Sequence, residues 1–240
     1  KYLYKTGLNQ QYAVTTKGGS GNHAWLLSAG FDNNSDNLSA GYKRGSVRLQ
    51  NTFRIGNRLL LTTGATLIES YSNSGNLSYR AVTGNIGLYP YARLADDNGS
   101  PLPYEKLYRL SYLDTVGGGR LLNWHYYPLT NNRFETFSQK TRNTLLNVGL
   151  DYKLAKSLSV NLLYQLEREE SESISNYSAN SFFARDLINT FSQINYASGN
   201  VINKIPPGGI YDVANESLIG SNFRTGINYA KQWQKTELTF

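Results

Sequence analysis

The feature that most constrains the fold is an alternation of apolar and polar residues in two neighbouring segments. The first runs from Leu146 to Leu154 and the second from Leu158 to Leu166, and each has an apolar residue at every second position. A period of two is typical of a β-strand with one apolar and one polar face. Because the apolar positions keep their parity across residues 155–157, the pattern predicts a hairpin in which Leu154 lies opposite Leu158.

A second hairpin follows the same rule earlier in the chain. Alternating segments flank Gly56-Asn57-Arg58, and this spacing pairs Ile55 with Leu59. Glycine and asparagine readily adopt the positive φ that such turns need. Two further hairpins are predicted, around Gly18-Gly19 and around Gln234-Lys235, which gives about eight strands and no helix among them.

Strand length and connection length both favour a membrane-spanning barrel. Strands of soluble domains typically have about 5–6 residues, whereas a tilted transmembrane strand needs roughly 9–11. Short and longer connections alternate, as in barrels with tight periplasmic turns and long outer loops. The predicted connections are 17–22, 33–41, 56–58, 71–141, 155–157, 172–221 and 234–235. We therefore predict an all-β fold, a segment of a large antiparallel transmembrane β-barrel with long extracellular loops.

The composition agrees with this prediction and argues against several other classes of protein. Mean hydropathy is −0.46, and a barrel hides its apolarity because only alternate residues face lipid. Tyrosine is enriched at bilayer interfaces, although the 19 tyrosines would also suit ordinary strands. The chain has no cysteine, which excludes disulfides and thiolate metal sites. The net charge of +7 is scattered rather than clustered, so we expect no nucleic-acid partner.

The two longest loops carry patterns of their own. Leucines and tyrosines at spacings of three and four predict a helix over 104–116 that ends at Gly117-Gly118-Gly119. A second helix is predicted over 182–192, with one apolar stripe that consists of Phe183, Leu187, Ile188 and Phe191. Loops this long are uncommon unless they are functional, so we expect them to pack on one another as an extracellular cap.

Candidate chemistry is weak, and the sequence predicts neither an enzyme nor a cofactor or metal site. His23 and His125 lie on different predicted elements without a matched carboxylate or serine motif. Asp96–Gly99 has oxygens that suit calcium but lacks the later bidentate glutamate of a calcium loop, so a turn is predicted there. The acidic run Glu167–Glu172 is interpreted as a strand end that emerges into water, with contact to a cationic partner or to cations that bridge lipopolysaccharide as the alternative.

The first long loop also resembles a known family. Asp96–Leu102 forms an Asp-x-x-Gly-x-Pro-Leu pattern, Tyr112–Thr115 reads Tyr-Leu-Asp-Thr, and Leu121–Leu129 reads LLNWHYYPL. This succession resembles an extracellular segment of the SusC/RagA-type TonB-dependent transporters of Bacteroidetes. The segment around Gly18-Gly19 is similar to the early barrel hairpin of that family. His125 and Tyr127 stand where basic residues are common in the family.

The resemblance implies an outer-membrane importer. Such barrels have roughly 22 strands and a plugged lumen, and TonB drives their uptake of glycans or peptides beneath a SusD-like lipoprotein lid. Residues 1–240 would then be one partial barrel domain, an internal piece of a longer chain, with the plug domain and the remaining strands outside it. The alternatives are a passive porin or structural outer-membrane barrel, and a soluble β-rich binding module whose apolar face forms its core.

Parity assigns side chains to the two faces of the predicted barrel. The side chains expected to face lipid are Leu49, Phe53, Leu61, Leu146, Leu150, Leu158, Leu162 and Tyr164. Those expected to face the lumen are Arg48, Gln50, Arg54, Asp151, Asn161 and Gln165. Contacts with substrate or lid are predicted for the loop aromatics Trp124, Tyr126 and Tyr127, because flat rings stack on sugars or peptide groups; packing within the loops is the alternative role for these three.

Overall fold

The computed structural model describes residues 2–78, 81–82, 91–233 and 236–239. Its strands are β1 (Leu8–Gly19), β2 (His23–Ser35), β3 (Gly41–Ile55), β4 (Leu59–Asn73), β5 (Glu135–Ala155), β6 (Leu158–Tyr177), β7 (Ser192–Ile194), β8 (Val201–Asn203), β9 (Ile210–Trp233) and β10 (Thr236–Thr239). All except β7 and β8 form one antiparallel sheet of eight strands in the order β1-β2-β3-β4-β5-β6-β9-β10, and β7 and β8 form a small separate hairpin. The all-β prediction of about eight long strands is confirmed.

The predicted hairpins differ in how closely they match the structure. The pair Ile55–Leu59 is confirmed, and Gly56 adopts a φ of 61° in the turn between them. The predicted pair Leu154–Leu158 is wrong, because Ala155 pairs with Leu158 and the register shifts between Lys153 and Ala155. Such a bulge inserts one unpaired residue, and a pattern of apolar parity does not reveal it.

The paired glycines near the start of the chain lie in a strand rather than in a turn. The turn is Ser20–Asn22, and Gly18 lies opposite Trp25 on the neighbouring strand. A Cβ atom at Gly18 would lie 2.9 Å from the indole ring of Trp25, so glycine is needed there for close approach. The predicted turn at Gln234-Lys235 lies outside the described residues.

Within the described residues, the short turns of the sheet lie along one edge and the longer connections along the other. The longer connections are 36–40, 74–134 and 178–209. The last two are shorter than predicted, because β5 begins at Glu135, β6 ends at Tyr177 and β9 begins at Ile210. The alternation of connection lengths is therefore confirmed as far as β9, whereas β4, β5, β6 and β9 extend further towards the long loops than predicted. The interpretation of Glu167–Glu172 as a strand end is wrong, because β6 continues to Tyr177.

Three short α-helices lie wholly within the described parts of the long connections. They are α1 (Leu110–Thr115), followed by a 3₁₀ turn at Val116–Gly119, α2 (Pro128–Asn131) and α3 (Phe182–Thr190). The predicted helix over 104–116 is wrong in its first half, because Tyr104 forms a β-bridge with Tyr126 instead. The helix predicted over 182–192 is confirmed as α3, but its predicted stripe is wrong at Phe183 and Phe191. Both are exposed, while Phe182, Ala184 and Ile188 are buried.

The buried core of the molecule lies in the loops, while the sheet is one layer thick and exposed. The buried residues given by the structure all lie outside the eight strands of the sheet. Apolar strand residues such as Leu146, Val148 and Tyr164 are more than two-fifths exposed. Within the described ranges, no helix has the length and apolarity needed to cross a membrane. The fold therefore presents a broad exposed sheet beneath a packed group of loops.

Candidate functional site

The strand register gathers the apolar side chains on one side of the sheet, which we call the apolar face. Leu61, Leu150 and Leu162 lie opposite one another on β4, β5 and β6. Leu49 pairs with Ala65, which in turn pairs with Leu146. By register and parity, this side holds all eight residues predicted to face lipid, namely Leu49, Phe53, Leu61, Leu146, Leu150, Leu158, Leu162 and Tyr164.

The six residues predicted to face a lumen share the opposite side, which we call the polar face. One row of paired positions across the strands contains Arg54, Asp151 and Asn161. Arg54 pairs with Leu60, Leu60 with Asp151 and Asp151 with Asn161. Gln50 and Gln165 share a row two further along this face, since Gln50 pairs with Gly64, Gly64 with Asn147 and Asn147 with Gln165. The Arg48 guanidinium donates to Gln50 Oε1 at 3.3 Å. The structure thus brings these residues to one surface, and their exposure to a lumen stays a prediction.

Two glycines shape the polar face in a way that the sequence did not reveal. A Cβ atom at Gly64 would lie 2.0 Å from Oδ1 of Asn147, and one at Gly226 would lie 2.3 Å from Oδ1 of Asn161. The amide side chains of both asparagines therefore lie flat across the backbone of a neighbouring strand. Glycine within a strand often marks such a close approach. At these two positions the asparagine side chains lie close to the sheet instead of projecting away from it.

The long connections 74–134 and 178–209 pack together, and we call their packed part, residues 94–131 with 181–196, the loop cap. Tyr104, Trp124, Tyr126 and Phe182 form its buried cluster. The rings of Tyr126 and Phe182 meet edge to face with centroids 5.2 Å apart. The indole Nε1 of Trp124 donates to Asp186 Oδ1 at 2.7 Å. The predicted packing of the loops on one another is confirmed.

Buried amides align the two loops. The Asn189 side chain accepts from the backbone N–H of Leu122 at 3.0 Å and donates to its carbonyl at 2.9 Å, as a neighbouring strand would. Asn131 Oδ1 accepts from the backbone N–H of Phe182 at 2.9 Å, which satisfies a free donor at the start of α3. These bonds fix helix α3 against the segment 122–126.

Helix α3 lies on the side of the polar face. The backbone N–H of Phe183 donates to Glu135 Oε1 at 3.0 Å, and the Phe183 ring contacts that of Tyr177 with centroids 4.5 Å apart. Glu135 on β5 and Tyr177 on β6 share the parity of Asn147 and Gln165, so both side chains belong to the polar face. The loop cap therefore leans over the polar face and away from the apolar one.

The three loop aromatics occupy different surroundings. Trp124 and Tyr126 are 7% and 1% exposed within the cap, which is the packing role stated above as the alternative. Burial raises the pKa of the Tyr126 hydroxyl well above its ordinary value, and Glu135 acts in the same direction. Tyr127 is half-buried and borders an open cavity, so of the three it is best placed for contact with a ligand. Contact of these residues with substrate or lid stays a prediction.

The cavity beside Tyr127 has a volume of about 560 Å³. Phe134, Ile188 and Pro207 line it together with the polar side chains of Asn123 and Arg185. The Arg185 guanidinium donates to the backbone carbonyls of Ser181 and His125, at 3.2 Å each, and to that of Asn123. Burial lowers the pKa of Arg185 from its ordinary value. The sequence pattern did not single out Arg185, because two of its three partners, Asn123 and His125, lie about 60 residues away in the chain.

Other polar groups that the sequence singled out serve local structure. Asp96 Oδ1 accepts from the backbone N–H groups of Asn98 and Ser100 at 2.9 and 2.7 Å, which makes the segment a turn, as predicted. His125 Nε2 lies 3.0 Å from Asp114 Oδ1, and His23 stacks on Phe53 with ring centroids 4.5 Å apart. Across the part of the chain that the structure covers, no group of three or more histidine and carboxylate side chains is arranged to hold a metal ion.

The whole of this architecture has counterparts among solved structures. Chains of the RagAB peptide importer in its closed-closed and open-open states match with TM-scores of 0.70 and 0.71 at 16% identity. A chain of the RagAB peptide transporter matches with a TM-score of 0.71 at 17% identity. Each match covers 99% of this chain but only 24% of the other, so this chain spans about a quarter of their length. No family model and no curated protein matches it. The likeness shows that the chain has the fold of one segment of these chains.

Proposed function

We propose that this chain is part of the barrel of a SusC-type importer of the bacterial outer membrane, which takes up peptides or glycans rather than catalysing a reaction. The observation that carries the proposal is the broad apolar face on a sheet whose fold matches a segment of peptide-importer chains. Because those chains are named for peptides, peptides are the favoured substrate.

The height of the apolar face suits a bilayer. On β4 its residues run from Leu59 to Leu67, which is roughly 26 Å along a strand at about 3.3 Å per residue. At a strand tilt of roughly 40°, this becomes about 20 Å, close to the band about 25 Å tall on outer-membrane barrels. Aromatic side chains border the band on the apolar face, as in the girdles of such barrels: Tyr12, Phe31 and Tyr71 towards the loops, and Trp25, Tyr152 and Tyr229 towards the short turns.

Charged side chains take over the apolar face where the strands continue towards the loops. Glu69 Oε2 lies 3.0 Å from Arg142 Nη2, and Glu69 Oε1 lies 3.1 Å from Lys140 Nζ. Arg168 and Glu170 form a further pair at 2.6 Å. All these side chains are roughly half exposed. Ion pairs of this kind belong in water or among lipid headgroups, so the strands would leave the hydrocarbon at about Leu67.

The polar face would line the lumen, and the loop cap would constrict its outer mouth. This assignment follows from the contacts of Phe183 with Glu135 and Tyr177, which hold the cap on the polar side. We also propose that a SusD-like lipoprotein forms a lid, that a plug domain fills the lumen and that TonB supplies the energy for uptake. They would be supplied by other chains and by parts of the protein outside these residues.

Uptake by the producing bacterium tests the proposal. Deletion of the gene is expected to abolish uptake of a defined peptide mixture, and collapse of the proton gradient in the parent strain should do the same. The protein should fractionate with the outer membrane and require detergent for extraction. Peptide uptake that survives collapse of the gradient would identify a passive porin instead, and recovery in the aqueous fraction would identify a soluble binding module.

A further inference from the structure

The Arg185 guanidinium is a half-buried cation whose described partners are all neutral. Its three bonds go to the backbone carbonyls of Ser181, Asn123 and His125. Among the described residues, no carboxylate oxygen lies within 4.0 Å of it. A cation in such a position is costly unless an anion compensates it.

Two carboxylates related to Arg185, those of Glu135 and Asp186, accept hydrogen bonds from other groups. Glu135 raises the pKa of Arg185 from a distance, but its carboxylate accepts the N–H of Phe183 at the start of α3. Asp186, the next residue in the chain, accepts the Trp124 indole N–H. The charge of Arg185 is therefore only partly balanced by the protein itself.

The guanidinium retains the means to bind an anion. Of its five N–H donors, three are used, so two remain. Arg185 also borders the cavity of about 560 Å³ beside Tyr127, within the range of about 300–1,000 Å³ that small-ligand sites occupy. Arginine is suited to carboxylates, because its planar fork matches the two oxygens.

We propose that Arg185 and this cavity bind the C-terminal carboxylate of a peptide held under the loop cap. This inference rests on the proposed function. The carboxylate meets the free donors of Arg185, and Phe134, Ile188 and Pro207 form an apolar wall for the side chain of the last residue. Asn123 and Asn180 offer amide groups for the last peptide unit. The size of the cavity fits the end of an extended peptide rather than the surface of a folded partner.

The test compares two forms of one peptide on the whole protein with its lid partner. The probe is an N-acetylated octapeptide of alanine and threonine that ends in leucine, prepared as the free acid and as the C-terminal amide. A bond to a charged group contributes about 1.5–3 kcal/mol, so the wild type should bind the acid about 10- to 100-fold more tightly than the amide.

Substitution of Arg185 separates binding from structural support. In Arg185→Met the ratio of the two affinities should fall to about one, and Arg185→Lys should keep part of the preference because it keeps the charge. A purely structural role would weaken both peptides equally and leave the ratio unchanged, which would overturn the proposal. Arg120→Met is the control, because Arg120 is exposed, bonds to Gly117 O and is not among the residues that line the cavity.

Failure of this inference differs from failure of the proposed function. A wild-type protein that binds acid and amide equally refutes the role of Arg185 and leaves peptide import intact. A wild-type protein that binds neither form, and takes up no peptide in cells, removes the proposed function as well.

Discussion

A charge at the centre of the apolar face tests whether that face meets lipid. Leu162 is the middle residue of the apolar positions that run from Leu158 to Leu166 on β6. It lies beside Leu150 on β5 and is 36% exposed, so the chain itself gives it only partial cover. If lipid covers it, arginine in its place must sit near the bilayer midplane.

The expected cost of Leu162→Arg follows from that depth. Arginine at the midplane of an outer-membrane barrel destabilises it by about 2–4 kcal/mol. At about 1.4 kcal/mol per factor of ten, the ratio of folded to unfolded protein should fall by about 30- to 700-fold. Leu163→Arg is the matched control, because Leu163 is the next residue of the same strand, is 38% exposed and points to the polar face. We expect a change below about 0.5 kcal/mol for this surface substitution.

Equilibrium unfolding in urea, with the whole protein folded into lipid vesicles, measures both variants. The outer-membrane level of each variant in cells gives an independent readout. If the two substitutions are equally harmful, or if Leu163→Arg is the worse, lipid does not cover the apolar face and the barrel interpretation is refuted.

Three further predictions concern local contacts. Asn189→Ala removes both side-chain hydrogen bonds to the backbone of Leu122. At about 0.5–1.5 kcal/mol for each bond, it should destabilise the loop cap by roughly 1–3 kcal/mol. Hydrogen exchange at the Leu122 amide measures this, and Thr190→Ala, at an exposed neighbour, should leave the exchange unchanged. Gly18→Ala forces the Trp25 indole to move, so it should shift the fluorescence of Trp25 and lower the free energy of unfolding by roughly 1 kcal/mol. Gly21→Ala is the control, because its methyl group meets open space and should change neither quantity. Tyr126→Phe should preserve cap stability below pH 10, since the Tyr126 hydroxyl is buried without a partner among the described residues. Above pH 10 the loop cap of the wild type should lose more stability than that of Tyr126→Phe. Burial raises the pKa of Tyr126 in the folded state, so only the unfolded tyrosine ionises readily and the rise in pH favours unfolding. The rate of proteolysis within residues 178–209, measured as the pH rises, shows whether the wild type is the one that weakens.

The sequence predicted the part of the sheet that carries the apolar face well. The faces of β4, β5 and β6 follow from apolar parity, because successive side chains of a strand point to opposite faces of the sheet. The same argument explains why the strand ends were misjudged. Apart from Phe137, residues 135–141 at the start of β5 are polar on both faces. Without an apolar alternation, nothing in the local pattern separated strand from loop.

The loop cap was predicted only in outline. The bonds Trp124–Asp186 and Asn189–Leu122 join residues more than 60 positions apart, and a local pattern does not encode such distances. Tertiary pairing also overrode local propensity, because Tyr104 pairs with Tyr126 although its spacing to the following leucines suited a helix. Arg185 escaped notice for the same reason, since its environment comes from a segment far away in the chain.

The two parts of the molecule should therefore respond differently to substitution. The sheet is held by its ladder of backbone hydrogen bonds and by whatever covers the apolar face, so polarity matters more there than the identity of any one side chain. The loop cap is held by particular pairs around a small buried cluster, so single contacts matter. A ligand site is better supported in the cap than on the open sheet, because only the cap fixes a guanidinium such as that of Arg185 in one orientation beside a cavity.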